Sequence, residues 1–109
     1  MRTNFIDMVG NLDIFIMPKS IVDNDKLSIE AKMLYMLMYD RMRNSRENRG
    51  IDKNGDIYIH YTVDEIKRDL KVANKKAINL KKELIENKLL EEVRQGLGKP
   101  NKLYVLQFQ

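Results

Sequence analysis

The sequence predicts an α+β domain of the winged helix-turn-helix type, with three main helices, a C-terminal β-hairpin wing and a short N-terminal strand. Three observations carry that expectation. Thr62, Val63, Asp64 and Glu65 form a capping-box pattern that opens a helix, the threonine accepting from the N–H three residues on and the glutamate reaching back. After a short break at Lys71, Val72 and Ala73, an uninterrupted run of good helix formers extends from Asn74 to about Asn87. Two strand-like stretches, Leu89 to Arg94 and Leu103 to Phe108, then flank the turn-rich segment from Gln95 to Asn101.

With 109 residues and 43% hydrophobic content, the chain suffices for one core and leaves no room for a second domain. Residues 1–12 read as an N-terminal arm and 13–109 as the winged-helix domain. The absence of cysteine excludes disulfides and thiolate chemistry and suits a reducing cytoplasm. The formal charge of +4, from 20 basic and 16 acidic side chains, says little about a polyanionic partner; the placement of charge says more. The longest apolar or aromatic run, Met33 to Tyr39, falls far short of the ~20 residues that span a bilayer. Asp7 interrupts the start before a signal-peptide core can build, so a cytoplasmic protein with no membrane contact is expected.

Taken in order, residues 1–12 are mixed and carry Gly10 and Asn11, which suits an arm or a loosely held strand. Ile14, Phe15, Ile16 and Met17, ended by Pro18, predict a strand or extended segment lying on the core or on another subunit. A helical turn is expected within Ser20 to Asp25. Ser28 then caps a helix that Glu30 favours in its first turn and that continues to about Arg43. From Met33 to Tyr39 that helix is apolar all round, which demands burial on most sides, by the core or by a dimer mate. Its methionines, Met33, Met36, Met38 and Met42, read first as adaptable core. Arg43, Arg46 and Arg49 lie in a polar stretch running to Gly50, which is either a solvated loop or a secondary phosphate contact. Asp52 to Asp56 predicts a turn with Asn54-Gly55 as a type I′ pair, leading to a short strand from Ile57 to His60.

The second helix of the helix-turn-helix is the candidate recognition helix. At about 100° per residue, Leu80, Leu84, Ala77, Ile85 and Ile78 share a broad arc, with Lys75, Asn79, Lys82 and Glu86 opposite. Lys81 falls inside the apolar arc, where its stem can pack while the ammonium reaches outward. From Lys71 to Lys82 there are five lysines (Lys71, Lys75, Lys76, Lys81 and Lys82) and no acid, the charge a phosphate-facing helix needs. The wing adds Arg94, Lys99 and Lys102, with Gly96 and Gly98 letting the backbone approach a phosphate. Any one of these lysines alone reads as solvation, and glycines at a hairpin tip read as a turn. The joint pattern points to nucleic acid.

No catalytic, metal or cofactor site can be assembled. Asp52, Asn54 and Asp56 imitate a calcium loop, but Ile57 and Val63 stand where glycine and glutamate are required. Gly96 to Lys99 lacks the spacing of a phosphate-binding P-loop. His60, the sole histidine, reads as structural.

Phe15-Ile16-Met17-Pro18-Lys19, the Leu27-to-Tyr35 run with its Leu-Ser-x-Glu-Ala-Lys core, Tyr39-Asp40-Arg41-Met42, Lys75-Lys76-Ala77-Ile78 with Lys82-Glu83-Leu84, and Gln95-Gly96-Leu97-Gly98-Lys99-Pro100-Asn101 follow one another in this order. Their combination resembles the N-terminal domain of the plasmid replication initiator A family, over nearly the whole chain from Phe15. The resemblance implies a winged-helix homodimer that binds double-stranded DNA at repeated sites of a bacterial plasmid origin. Base contacts would come from Asn74, Lys75, Lys76, Asn79 and Lys82, and phosphate contacts from Lys71, Arg94, Lys99, Asn101 and Lys102. Ile14, Phe15, Ile16, Met17 and Met36 would supply the dimer surface. Family members continue into a further domain thought to meet host replication proteins, which implies that this chain is a fragment or a short form. The chain departs from the pattern at Lys88, where many members carry glycine between helix and wing strand. Two other readings share the architecture: a transcriptional repressor, and a primosome-type oligomerisation module in which the lysines only solvate.

Overall fold

The computed structural model describes residues 1–10 and 13–106. The elements are α1 (Phe5–Gly10), α2 (Lys19–Val22), α3 (Ile29–Asn44), a 3₁₀ turn (Arg46–Asn48), β1 (Arg49–Ile51), β2 (Ile57–Ile59), α4 (Val63–Leu70), α5 (Asn74–Glu86), β3 (Leu90–Val93) and β4 (Lys102–Val105). The strands form one antiparallel sheet in the order β1-β2-β4-β3. α3, α4 and α5 are the three helices expected, and the β3-β4 hairpin is the wing.

α3 is the centre of the fold because its sequence leaves no polar face in its middle. Leu34, Tyr35 and Met38 are fully buried against Leu80 and Leu84 of α5, Ile66 of α4, and Ile59 and Leu103 of the sheet. Met33 remains exposed, and Met36 and Leu37 are half-buried, so burial covers most but not all of the helix. Tyr35 donates its hydroxyl to the Leu106 carbonyl at 2.9 Å; burial pushes its phenol up to about 12.

Several expectations need correction. Residues 13–17 form no strand: the segment is extended but pairs with no described strand, and Ile14, Phe15 and Ile16 are exposed while Met17 packs against the core. The strand expected there lies instead at Arg49–Ile51, in the stretch read as a polar loop, where Arg49 pairs opposite Ile59. The arm contains helix α1, whose residues are all exposed; Asn11 and Leu12 lie outside the described residues. The wing strands are shorter than expected, and Gln107 and Phe108 also lie outside the described residues. The β1-β2 connection is not a type I′ turn, because Asn54 does not take positive φ. Gly55 N–H bonds the Asp52 carbonyl at 3.0 Å, and only Gly55 is left-handed (φ +85°).

The two helix ends that frame α5 have a common form. Lys71 ends α4 at φ 56°, ψ 48°, and Lys88 follows α5 at φ 60°. After α5, Leu89 N–H reaches the Leu84 carbonyl and Lys88 N–H the Ile85 carbonyl, the paired bonds of a Schellman end. Lys88 therefore keeps the backbone conformation that glycine favours.

Candidate nucleic-acid interface

α4 is set by the capping box expected from its sequence. Thr62 Oγ1 accepts from Glu65 N–H at 3.1 Å, and the Glu65 carboxylate accepts from Thr62 N–H at 3.1 Å. Glu65 also pairs with Arg41 of α3 at 2.8 Å, and Arg41 lies 3.8 Å from the Tyr61 ring centroid and donates to the His60 carbonyl. Burial raises the Glu65 carboxyl, but the hydrogen bonds from Arg41 and Thr62 outweigh it, so its pKa lies below the usual range. This bundle fixes α4 on α3 and leaves the turn at Lys71 facing water.

α5 is held on both flanks. On one, the Glu83 carboxylate takes Ser28 N–H at 2.6 Å and Ser28 Oγ at 2.9 Å, while Ser28 Oγ caps Ala31 N–H at the start of α3. Lys76, seven residues back and so on the same flank, lies 3.5 Å from Glu30. On the other flank Lys81 reaches Glu92 of β3 at 2.8 Å, and Asn101 donates to the same Glu92 oxygen at 3.1 Å. Burial raises the Glu92 carboxyl, and the bonds from Lys81 and Asn101 more than reverse it, leaving its pKa lowered. Lys81 is thus an internal strut between recognition helix and wing, which accounts for its place within the apolar arc.

Between these flanks Lys75, Asn79 and Lys82 run along the outward face of α5. They are exposed, as are Asn74, Lys76 and Lys71, and the described residues offer Lys75, Asn79 and Lys82 no side-chain partner. The helix starts on Ala73, with no side-chain cap and no acid in its first turn, so its positive end is uncompensated. The wing presents Arg94 and Lys99, both exposed. Its tip turns on Gly96 (φ +111°) and Gly98 (φ +76°), leaving Leu97 fully exposed.

Eight of the ten residues expected to meet DNA are therefore exposed: Lys71, Asn74, Lys75, Lys76, Asn79, Lys82, Arg94 and Lys99. Asn101 and Lys102 are half-buried at the base of the wing. The Asn101 carbonyl lies 3.0 Å from His60 Nδ1, and the Lys102 ammonium sits 4.7 Å from the Tyr58 ring centroid. Arg49 is occupied as well, donating to the Met42 and Arg43 carbonyls at the end of α3. Of the residues expected at a dimer surface, Phe15 and Met36 share with Met33, Leu37 and Leu70 a cavity of about 600 Å³. The anchors Glu83 and Glu92 carry no site signal in the sequence; only Lys81, misplaced on the helical wheel, hints at a half-buried acid beside it.

A helix-turn-helix whose second helix shows a cationic stripe, free of acid from Asn74 to Lys82, followed by a basic hairpin braced against it, defines a winged-helix domain of the nucleic-acid-binding class. Residues 13–109 match the family model described as the replication initiator protein A (RepA) N-terminus, and the chain belongs to that family. A curated relative, a "41 kDa protein" of Lactobacillus helveticus, is 38% identical in an alignment of 99 positions that covers 83% of this chain but only 28% of that protein's length. Similar solved structures include the "N-Terminal domain of DNA binding protein" (TM-score 0.76, 26% identity, 98% of this chain and 84% of that one). Another is the "Structure of Rep-DNA complex" (0.75, 27%, 97% and 84%). A third is the "Structure of MDR initiator" (0.72, 32%, 97% and 86%).

Proposed function

We propose that this chain is the DNA-binding N-terminal domain of a plasmid replication initiator and binds repeated double-stranded sites at the plasmid origin. The observation that carries the reading is the outward stripe Lys75, Asn79 and Lys82, open to water on a helix clamped along both sides. A major groove admits such a helix, where amide side chains can pair with adenine edges and lysine can reach guanine acceptors. Arg94 and Lys99 of the wing, with Lys71 at the turn, would hold phosphates and set the register. Family membership and the Rep-DNA complex among similar structures favour this reading over a repressor or an oligomerisation module.

The domain acts by binding rather than catalysis under this reading: its sole histidine faces the Asn101 carbonyl and the chain has no cysteine. It works in the cytoplasm, and no described helix is long and apolar enough to cross a membrane. It pairs with a second copy through the exposed Ile14, Phe15 and Ile16 and the adjoining cavity at Met36, so that two recognition helices address half-sites about 34 Å apart. Contacts with host replication proteins fall to a further domain.

Selection of bound duplexes from a random pool tests the proposal. An enriched motif recurring at the plasmid's origin is expected, and retention of no duplex, or of all sequences alike, overturns it.

A further inference from the structure

Among the exposed lysines of the α5 face, Lys76 stands apart in having a carboxylate within ion-pair range, Glu30 at 3.5 Å. Glu30 is the residue that the sequence assigns to the start of α3, yet the capping work there is done by others. Ser28 Oγ receives Ala31 N–H, and Glu83 receives Ser28 N–H. The Glu30 carboxyl is held below its usual range by its own backbone N–H and then by Lys76.

Nor is the pair a useful brace. Both side chains are about half exposed (46% and 49%), and such ion pairs add little to stability. The same negative charge matters more to a polyanion, because it acts on every phosphate within a Debye length of about 10 Å.

We infer that Glu30 is a specificity-determining residue of the DNA-binding face, neutralising Lys76 and repelling phosphate so that binding to arbitrary duplex is held down. The inference rests on the DNA-binding reading above. Discrimination is a difference of affinities, and a repulsive element lowers the unwanted one. The outward stripe of α5 reads the correct site through base edges and is spared most of the penalty.

The test titrates wild type, Glu30→Gln and Glu47→Gln against the selected duplex and a random duplex over a range of salt. Glu47 lies in the 3₁₀ turn beyond the far end of α3, a 16-residue helix about 24 Å long, so its variant controls for net charge. Glu30→Gln is expected to tighten random-duplex binding at least about threefold at low salt and to steepen the salt dependence by about one unit. The selected duplex gains less, so the specificity ratio falls, and adding Lys76→Ala removes the gain. Unchanged or weaker random binding by Glu30→Gln, or an equal gain from Glu47→Gln, overturns the role of Glu30. Failure of the wild type to bind any duplex overturns the DNA-binding reading instead.

Discussion

Glu83 and Ser28, separated by 55 positions, complete a capping box between two helices: the acid sits on α5, whereas the serine and the capped N–H belong to α3. In the local form of this motif the acid would stand at the third helical position, which here is Ala31. The recognition helix is thereby tied to the N-terminus of the central helix. Glu83→Ala removes two charge-assisted bonds and strands a half-buried N–H, so a loss of about 2 kcal/mol is expected, with Ser28→Ala losing about 1. Urea unfolding of both single variants and the double checks it. Losses that simply add would show that the two side chains are not coupled.

Lys88 follows α5 with φ 60°, which costs a residue bearing a Cβ about 1–2 kcal/mol. Glycine removes that cost but has more freedom to lose in the unfolded chain. Lys88→Gly is therefore expected to stabilise by about 0.5–1 kcal/mol, and Lys88→Val to destabilise. A lower urea midpoint for Lys88→Gly would mean that the lysine stem makes a contact that matters.

The carboxylates that brace the site make stability depend on acid pH. Burial raises Glu92, and Lys81 and Asn101 bring it below its ordinary value; burial also raises Glu65, and Arg41 with Thr62 lowers it. A depressed folded pKa gives stability that is present above the unfolded value of about 4.3 and lost as pH falls through the folded value. Lys81→Met removes the larger of the two hydrogen bonds that lower Glu92 and leaves the Asn101 bond. Its deficit against wild type is expected to be full at neutral pH and to narrow below about pH 4. A deficit constant across that window would remove the ion pair as its source.

Gly50 leaves room for a ring. A Cβ at that position would meet Tyr58 Cζ at 2.5 Å, and Tyr58 is itself packed against Tyr104, His60 and the Lys102 ammonium. Gly50→Ala must move this cluster, an overpacking cost of about 1–3 kcal/mol. Combining it with Tyr58→Ala should recover part of the loss in a thermal melt, and no recovery would locate the strain elsewhere.

What the sequence made legible was local. The Thr62–Glu65 box, the break at Lys71 and the lysine-rich helix after it are encoded within a few residues of one another, and the structure holds them as expected. What escaped were long-range partners. Glu83 and Glu92 are ordinary helix and strand acids until α3 and the wing come alongside, and Lys81 looks misplaced until Glu92 faces it. The N-terminal strand failed for a related reason: Ile14, Phe15 and Ile16 have the side chains of a strand, but pairing requires a neighbouring edge that their own sequence does not specify.

The division of labour between helix and wing can be separated in one titration series. Asn79 is exposed in the middle of the α5 stripe, where a lost amide pairing affects only the base it would read; Asn79→Ala should cost about 1–3 kcal/mol on the selected duplex and little on random DNA. Lys99 stands at the glycine-bearing tip of the wing, where a charge meets backbone of any sequence. Lys99→Ala should weaken both duplexes alike and reduce the slope of log K against log salt by about one unit. Equal losses on both duplexes from both variants would mean that α5 contributes charge and not readout.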